Sequence, residues 1–298
     1  QYKKIKENKL KKNKKILNQI ELKKYLKIID IGAAGEIKEN WRQFEPILDY
    51  VGIEPDLENY QKIQKNKNIC KSYKIFNKAL WDSKTRLNLN ITKKRTNSSI
   101  LEPNFNILNN FPDPERFKIL EKKEINLSPL DELKIENIDF IKIDTQGSEL
   151  NILNGSSESI KNVMGFEIEV SFIKIYKDQP LFSDVNNFMI KNNYQFMGFS
   201  DQISWKRNEA DVGKNQLVFA DAIFLKPLEE IFKYENDINE LLFKYSLICL
   251  SYNFLGISKI INAKITGNLN LKINEIYTNI LNDGKYKRSF KKIINKFK

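Results

Sequence analysis

Three short apolar runs, LKIIDIG (26–32), YVGIEPD (50–56) and IDFIKID (138–144), each carry an acid at or near the carboxyl end. Each is followed by a segment of helical spacing: KENWRQFEPILDY, interrupted by Pro46, after the first, LENYQKIQKN after the second and SELNILN after the third. Strands joined through helices lie parallel, so this rhythm predicts an α/β protein with a mostly parallel sheet and helices on both faces. The ligand site of such a sheet lies at the carboxyl ends of its strands. Further strands are expected in YKIFNKALW (73–81), leading through DSKTR into RLNLNIT (86–92) as a hairpin, and in NVMGFEIEVSF (162–172), YQFMGFS (194–200) and QLVFADAIFL (216–225). Gly155 reads as the C-cap of SELNILN. The proline-broken stretch 100–117 reads either as a lid over an acceptor or as a surface excursion. From Pro227 the pattern turns helical, which divides the chain into a basic helical segment 1–25 on the surface, a central domain 26–226 and a helical C-terminal appendage 227–298. At 298 residues and 41% hydrophobic content the chain can bury a full core.

The net charge of +12 sits at the ends. Residues 1–27 hold eleven lysines against Glu7 and Glu21, and 285–298 (KYKRSFKKIINKFK) hold seven lysines and arginines with no acid. The stretch between them is therefore net acidic, so no nucleic-acid partner is expected for the central domain. In the tail, Tyr286, Phe290, Ile293, Ile294 and Phe297 share one helical face. That pattern suits a peripheral contact with an anionic membrane, or a helix docked on the body or on another protein. Cys70 and Cys249 are far apart, there is no histidine, and no zinc-type ligand set can be assembled, so no metal site is expected. The cysteine usage and the lack of an apolar stretch after the charged N-terminus predict a cytoplasmic protein without a signal peptide. LLFKYSLICLSYNFLGI (241–257), broken by Lys244, reads as a buried or interfacial helix rather than a membrane span.

DIGAAGE (30–36) follows the first strand directly. Gly32 and Gly35 permit tight turns and close approach, and Asp30 can hold the loop or the cationic end of a ligand. Glu54 ends the second strand 22 residues past Gly32, where an acid suits the two hydroxyls of an adenosine ribose. The third glycine of a dinucleotide fingerprint is missing, and Glu36 would repel a pyrophosphate. Asp30, Glu36 and Glu54 together favour S-adenosylmethionine, which is cationic and has no phosphate, over NAD. The bland alternative is a tight strand-to-helix turn with no ligand.

In IIDIGAAGE, YVGIEPD, NKALWDS, SPLDEL, IDFIKIDTQGSELNILNGS and GFEIEVSF, taken in that order over about residues 26 to 225, the chain resembles the FkbM-type class I methyltransferases. The resemblance implies a seven-stranded Rossmann-like sheet, S-adenosylmethionine as methyl donor, and O-methylation of a sugar, glycan or other small hydroxyl-bearing acceptor. Thr145 and Gln146 stand where the family commonly has Val-Glu, and Glu36 follows Gly35 where many members have a different short loop. The alternatives are an NAD-type oxidoreductase on the same sheet and a non-catalytic binding protein that keeps the fold.

Methyl transfer to oxygen requires the acceptor to be held in line and one proton to be removed. With no histidine in the chain, Asp144 at the end of the IDFIKID strand is the first candidate for base and for contact with the donor's methionine part, and Glu169 is the second. Burial would have to tune such an acid for the task. Glu167 and Glu169, two apart, share one strand face. The expected donor-binding set is Asp30, Gly32, Ala33, Ala34 and Gly35, then Glu54, Pro55 and Asp56, with Ala79 and Leu80 against adenine and Asp144 beside the methyl group. Structural readings stand beside these: Asp144 as a helix N-cap, Glu149 as a residue favoured by the helix dipole, and Ala79 and Leu80 as core.

Overall fold

A computed structural model describes residues 2–35, 37–66, 70–210, 212–234 and 237–281. Glu36 and the amphipathic tail 285–298 lie outside the described residues. Ten strands form: β1 (Leu26–Ile31), β2 (Leu48–Ile53), β3 (Ser72–Phe76), β4 (Ala79–Leu80), β5 (Thr85–Thr92), β6 (Ile119–Ser128), β7 (Phe140–Ile143), β8 (Gly165–Ser171), β9 (Gln195–Trp205) and β10 (Gln216–Leu225). Seven of them make one sheet in the order β3-β2-β1-β7-β8-β10-β9. All neighbours pair parallel except β10, which runs antiparallel to both β8 and β9. The expected doubly wound sheet is therefore present, with one reversed strand near its edge.

Alternating side chains along the strands fill two layers, as the period of two requires. On one face Ile29, Ile31, Val51, Ile141, Ile143, Phe166 and Ile168 pack against helices Glu149–Asn154 and Phe182–Lys191. On the other, Leu26, Ile28, Tyr50, Phe140, Ile223 and Leu225 meet Trp41, Phe44 and the C-terminal helices. Helix Ile238–Ser251 is central to that second layer, with every residue from Leu242 to Leu250 buried. It is the buried helix expected at 241–257, and no helix among the described residues is long and apolar enough to cross a membrane. The N-terminal segment is not confined to the surface: Leu17, which ends helix Tyr2–Leu17, and Ile20 and Leu22 beyond it join Ile273, Ile276 and Ile280 of helix Gly267–Leu281 in the same core.

A buried ion pair ties this layer to the sheet. Lys244 Nζ lies 2.9 Å from Asp139 Oδ2, which also accepts the Lys27 N–H at 2.8 Å. Burial pushes the Asp139 carboxyl up, and the Lys244 charge and the Lys27 N–H oppose that shift. Replacing Lys244 with methionine leaves the carboxylate buried without its cation, and should cost about 3 to 5 kcal/mol in urea denaturation at pH 7. Adding Asp139→Asn should recover most of that loss.

The hairpin expected from 73–92 does not form. YKIFNKALW splits at Asn77 and Lys78 into β3 in the large sheet and β4 in a second, three-stranded sheet of order β4-β6-β5. Strand β6, rather than β4, is the antiparallel partner of β5. Gly155 follows its helix at φ −86°, so no left-handed cap is involved. A side chain there would place Cβ 2.2 Å from the Trp81 carbonyl oxygen, so glycine is required by backbone contact. The 100–117 stretch is neither free nor merely superficial: Leu101, Phe105, Leu108 and Phe117 pack with Ile175, Tyr176 and Val218 in a third apolar cluster that walls the cleft.

Candidate active site

The strand order reverses between β1 and β7, which opens a crevice at their carboxyl ends. A cleft of about 680 Å³ lies there. The backbone after β1 turns at Gly32, with φ +82°, beneath the loop after β7. A Cβ on Gly32 would stand 1.9 Å from the carbonyl oxygen of Asp144, so the close approach predicted for this glycine is to the neighbouring loop and not to a ligand. Gly35, by contrast, borders open space. The first helix after this loop, Glu39–Arg42, has four residues and an acid in its first turn. No helix N-terminus therefore offers a seat for a pyrophosphate beside Gly32 among the described residues.

The sheet face that is apolar at the strands' amino ends becomes ionic toward the carboxyl ends. Asp30 of β1 pairs in register with Lys142 of β7, and Lys142 with Glu167 of β8. Asp30 accepts from Tyr50 Oη at 2.8 Å and from Lys142 Nζ at 3.0 Å, so it is engaged by the protein itself. Burial works against the Lys142 charge, yet Asp30 and Asp144 hold its ammonium above the usual lysine range. Lys38, just beyond the glycine loop, binds Glu167 and reaches Asp221 at 2.6 Å. Tyr252 from the C-terminal helices donates to Glu167 at 2.5 Å and accepts from Trp41 Nε1 at 3.1 Å.

Every residue expected to hold the donor borders the cleft: Asp30, Gly32, Ala33, Ala34 and Gly35 on one wall, Glu54, Pro55 and Asp56 past β2, Ala79 and Leu80 in β4, and Asp144 past β7. Ala79 and Leu80 are both buried, and Leu80 also packs in the core, so the two readings of this pair coexist. Glu54 is 4% exposed and accepts the Asp56 N–H at 2.8 Å. Burial pushes its carboxyl up to about 7. Asp56 caps helix Leu57–Ile63 through Asn59 N and takes Arg95 Nη2 at 2.7 Å. Those contacts outweigh its burial and hold its carboxyl low.

Asp144 stands one residue beyond β7 with its side chain 36% exposed. It is not the cap of the following helix, whose N-cap is Ser148. Its Oδ1 takes the amide of Gln146 at 3.0 Å, and its Oδ2 lies 3.8 Å from Lys142 Nζ. Glu149 is buried and accepts from the N–H groups of Thr145 and Gly147, at 2.9 and 3.0 Å, so it closes the loop that presents Asp144. Glu169 does not border the cleft. Its Oε2 takes the same Gln146 amide nitrogen at 2.9 Å, which places Gln146 between the two acids proposed from the sequence. Burial pushes the Glu169 carboxyl well up, and the nearby Asp144, Glu149 and Asp221 push it further.

A family model for the methyltransferase FkbM domain matches residues 30–196, more than half of the chain. The chain belongs to the FkbM methyltransferase family. No curated protein matches it. Among solved structures, it is similar to the FkbM methyltransferase of Methylobacillus flagellatus KT, at 17% identity over 70% of this chain and 45% of that one, with a TM-score of 0.40. The match therefore spans less than half of the Methylobacillus protein. It is also similar to a precorrin-6y C5,15-methyltransferase of Geobacter metallireducens GS-15, at 9% identity over 72% and 87% of the two chains, with a TM-score of 0.37. The magnesium protoporphyrin IX methyltransferase of Synechocystis PCC 6803, solved with bound SAM, matches at 7% identity over 74% and 79%, with a TM-score of 0.37.

Three parts of this FkbM site were not read from the sequence. Lys142 sits between Ile141 and Ile143, and a lysine inside a buried strand was the available signal that it has carboxylate partners. Lys38 and Tyr252 reach Glu167 from 129 and 85 residues away, which no local pattern announces. Ser98 and Ser99 tie the wall together: Ser98 Oγ accepts the Thr92 N–H, and Ser99 Oγ donates to the Gln146 carbonyl at 2.7 Å.

Proposed function

We propose that this FkbM methyltransferase moves a methyl group from S-adenosylmethionine to a hydroxyl of a sugar, glycan or other small acceptor, with Asp144 as the base. The cleft fits this donor. A buried carboxylate at Glu54, raised toward neutrality by its surroundings, calls for hydroxyl donors of the kind a ribose has. Ala79 and Leu80 offer an apolar edge for adenine. The sulfonium of the bound donor supplies an electrophilic methyl group that needs no activation by the protein.

The protein's part is to align the acceptor oxygen and to take its proton. Few groups qualify for that second task. Burial pushes the Tyr50 and Tyr176 hydroxyls well up and the Cys70 thiol to about 12, so none of these is a base at neutral pH. Asp30 is closed by Tyr50 and Lys142, and Asp56 by Arg95 and its helix. The observation that carries the proposal is Asp144, partly exposed at the switch point, with Oδ1 fixed by Gln146 and Oδ2 3.8 Å from Lys142 Nζ, beyond hydrogen-bond distance of it and open to an acceptor. In the transfer the acceptor oxygen would bond to the methyl carbon as that carbon's bond to sulfur breaks, S-adenosylhomocysteine would leave with the electron pair, and the hydroxyl proton would pass to Asp144 Oδ2. Membrane association through the tail 285–298 would put the enzyme at a lipid surface, and flotation of the full chain, but not of one cut at 284, with anionic liposomes would support it.

The activity test is isotopic. Small-molecule and glycan extracts incubated with the protein and methyl-labelled S-adenosylmethionine should yield a species heavier by one CH₂, with the label on oxygen by carbon NMR. Label on nitrogen or carbon alone would overturn the O-methylation reading.

A further inference from the structure

The cleft differs in charge from wall to wall. Near Glu54 its wall carries acids, whereas the wall built by residues 94–99 and 116–117 carries Lys94, Arg95 and Arg116. Arg95 is engaged, 2.7 Å from Asp56 and 3.4 Å from Glu58. Among the described residues Lys94 and Arg116 have no carboxylate within ion-pair distance.

Arg116 is nevertheless held in place. Its guanidinium lies 4.5 Å over the Trp205 ring and 5.2 Å from the Phe117 ring. Trp205 is in turn fixed edge-on by Phe111 and Phe219. The Arg116 backbone carbonyl takes the Lys94 N–H at 3.0 Å, which sets the two cationic residues side by side on the main chain. Aromatic faces thus position this charge without neutralising it. Beside it Asn97, 8% exposed and also on the cleft wall, carries a buried amide nitrogen with no partner. A buried donor left unmade is costly, so this amide is a second sign of a missing acceptor atom.

These groups connect to the reacting end. The Tyr176 hydroxyl shares its proton between the Asn97 carbonyl, at 2.9 Å, and Gln146 Oε1, at 3.1 Å, and Gln146 holds Asp144. Arg116 and Asp144 thus line the same cleft. We propose that the methyl acceptor carries an oxyanion, a phosphate or a carboxylate, received by Arg116, Lys94 and the Asn97 amide while the hydroxyl to be methylated faces Asp144. This inference rests on the methyl-transfer reading of the cleft and narrows its acceptor to an acidic sugar or a sugar phosphate.

The test uses the full chain loaded with S-adenosylhomocysteine and titrated calorimetrically with glucose 6-phosphate, glucuronate and glucose. At least one of the two anions should bind at least tenfold more tightly than glucose, and which of them does so separates phosphate from carboxylate. Arg116→Met keeps a stem over Trp205, and should weaken the anion at least tenfold while leaving S-adenosylhomocysteine affinity within twofold, which also reports that the variant is folded. Arg116→Lys should restore part of the loss, and Lys94→Gln should weaken the anion in the same sense. Equal binding of glucose and the anions, no anion binding to the loaded protein, or unchanged anion binding in Arg116→Met would overturn the proposal. Loss of S-adenosylhomocysteine affinity in Arg116→Met with Arg116→Lys unimpaired would assign the guanidinium to the donor instead, and would overturn it too. Failure of S-adenosylhomocysteine to bind the unaltered chain would strike the methyl-transfer reading itself.

Discussion

Replacing Asp144 with asparagine should lower methyl transfer by about 10²- to 10⁴-fold, the range that a positioned acid–base group contributes. Asparagine keeps the shape of the side chain and can still accept the Gln146 amide at the Oδ1 position. What it loses is the carboxylate oxygen proposed to take the proton, so kcat should fall while donor affinity stays within a few-fold. The expected split separates a base from a donor contact: a loss confined to donor binding would move Asp144 to the cofactor side of the site, and unchanged turnover would remove it from the chemistry. Lys142 has Asp30 as a second partner at 3.0 Å, so the sheet's ionic row should survive the change.

Glu54→Gln should produce the second large effect, on binding rather than on turnover. A carboxylate accepting hydroxyl hydrogen bonds contributes about 1.5 to 3 kcal/mol. The variant should therefore bind the donor about ten- to hundredfold more weakly. The wild-type affinity should also depend on pH. Burial pushes the free carboxyl up to about 7, and ribose hydroxyls favour its ionised form. Affinity should therefore rise as pH increases through 7, with a proton released on binding below that value, and Glu54→Gln should abolish both trends in calorimetry.

The same burial has an opposite consequence for the free protein. A carboxyl whose folded pKa is raised contributes stability that is complete below its unfolded pKa and is lost as pH rises through about 7. Free Glu54→Gln should accordingly be more stable than wild type at pH 8, by about 3 kcal/mol at most, with little difference near pH 4. Urea denaturation at the two pH values measures this. A variant that binds worse and folds better would mark Glu54 as a group kept for the ligand.

Much of this site was legible because its parts sit where local patterns change. LKIIDIG, YVGIEPD and IDFIKID each combine an apolar strand with an acid at or just past its end, so β1, β2 and β7 and the positions of Asp30, Glu54 and Asp144 followed from period and punctuation. Strand β6 escaped because it lies in the small sheet with Leu120 to Glu124 exposed, and ILEKKEINLS then has no buried alternation to reveal it. Its pairing with β5, across about 35 residues, also had to displace a nearer hairpin. The ionic row on the sheet face depends on partners that the tertiary fold alone brings together, Lys38 and Tyr252 above all. Local pattern assigns Glu149 to the first helical turn, whereas its carboxylate bonds backward to Thr145 and Gly147. Gln146 departs from the family pattern, and its place between Asp144 and Glu169 gives that departure a physical sense. An acid at 146 would gather three carboxylates, where the amide donates to two.

The central claim is that this cleft holds a sulfonium donor. Titration of the full chain with S-adenosylhomocysteine, S-adenosylmethionine and NAD tests it most directly. Binding of the first two at one per chain, with no heat from NAD, is the predicted result, and tight NAD binding without either sulfur ligand would contradict the account.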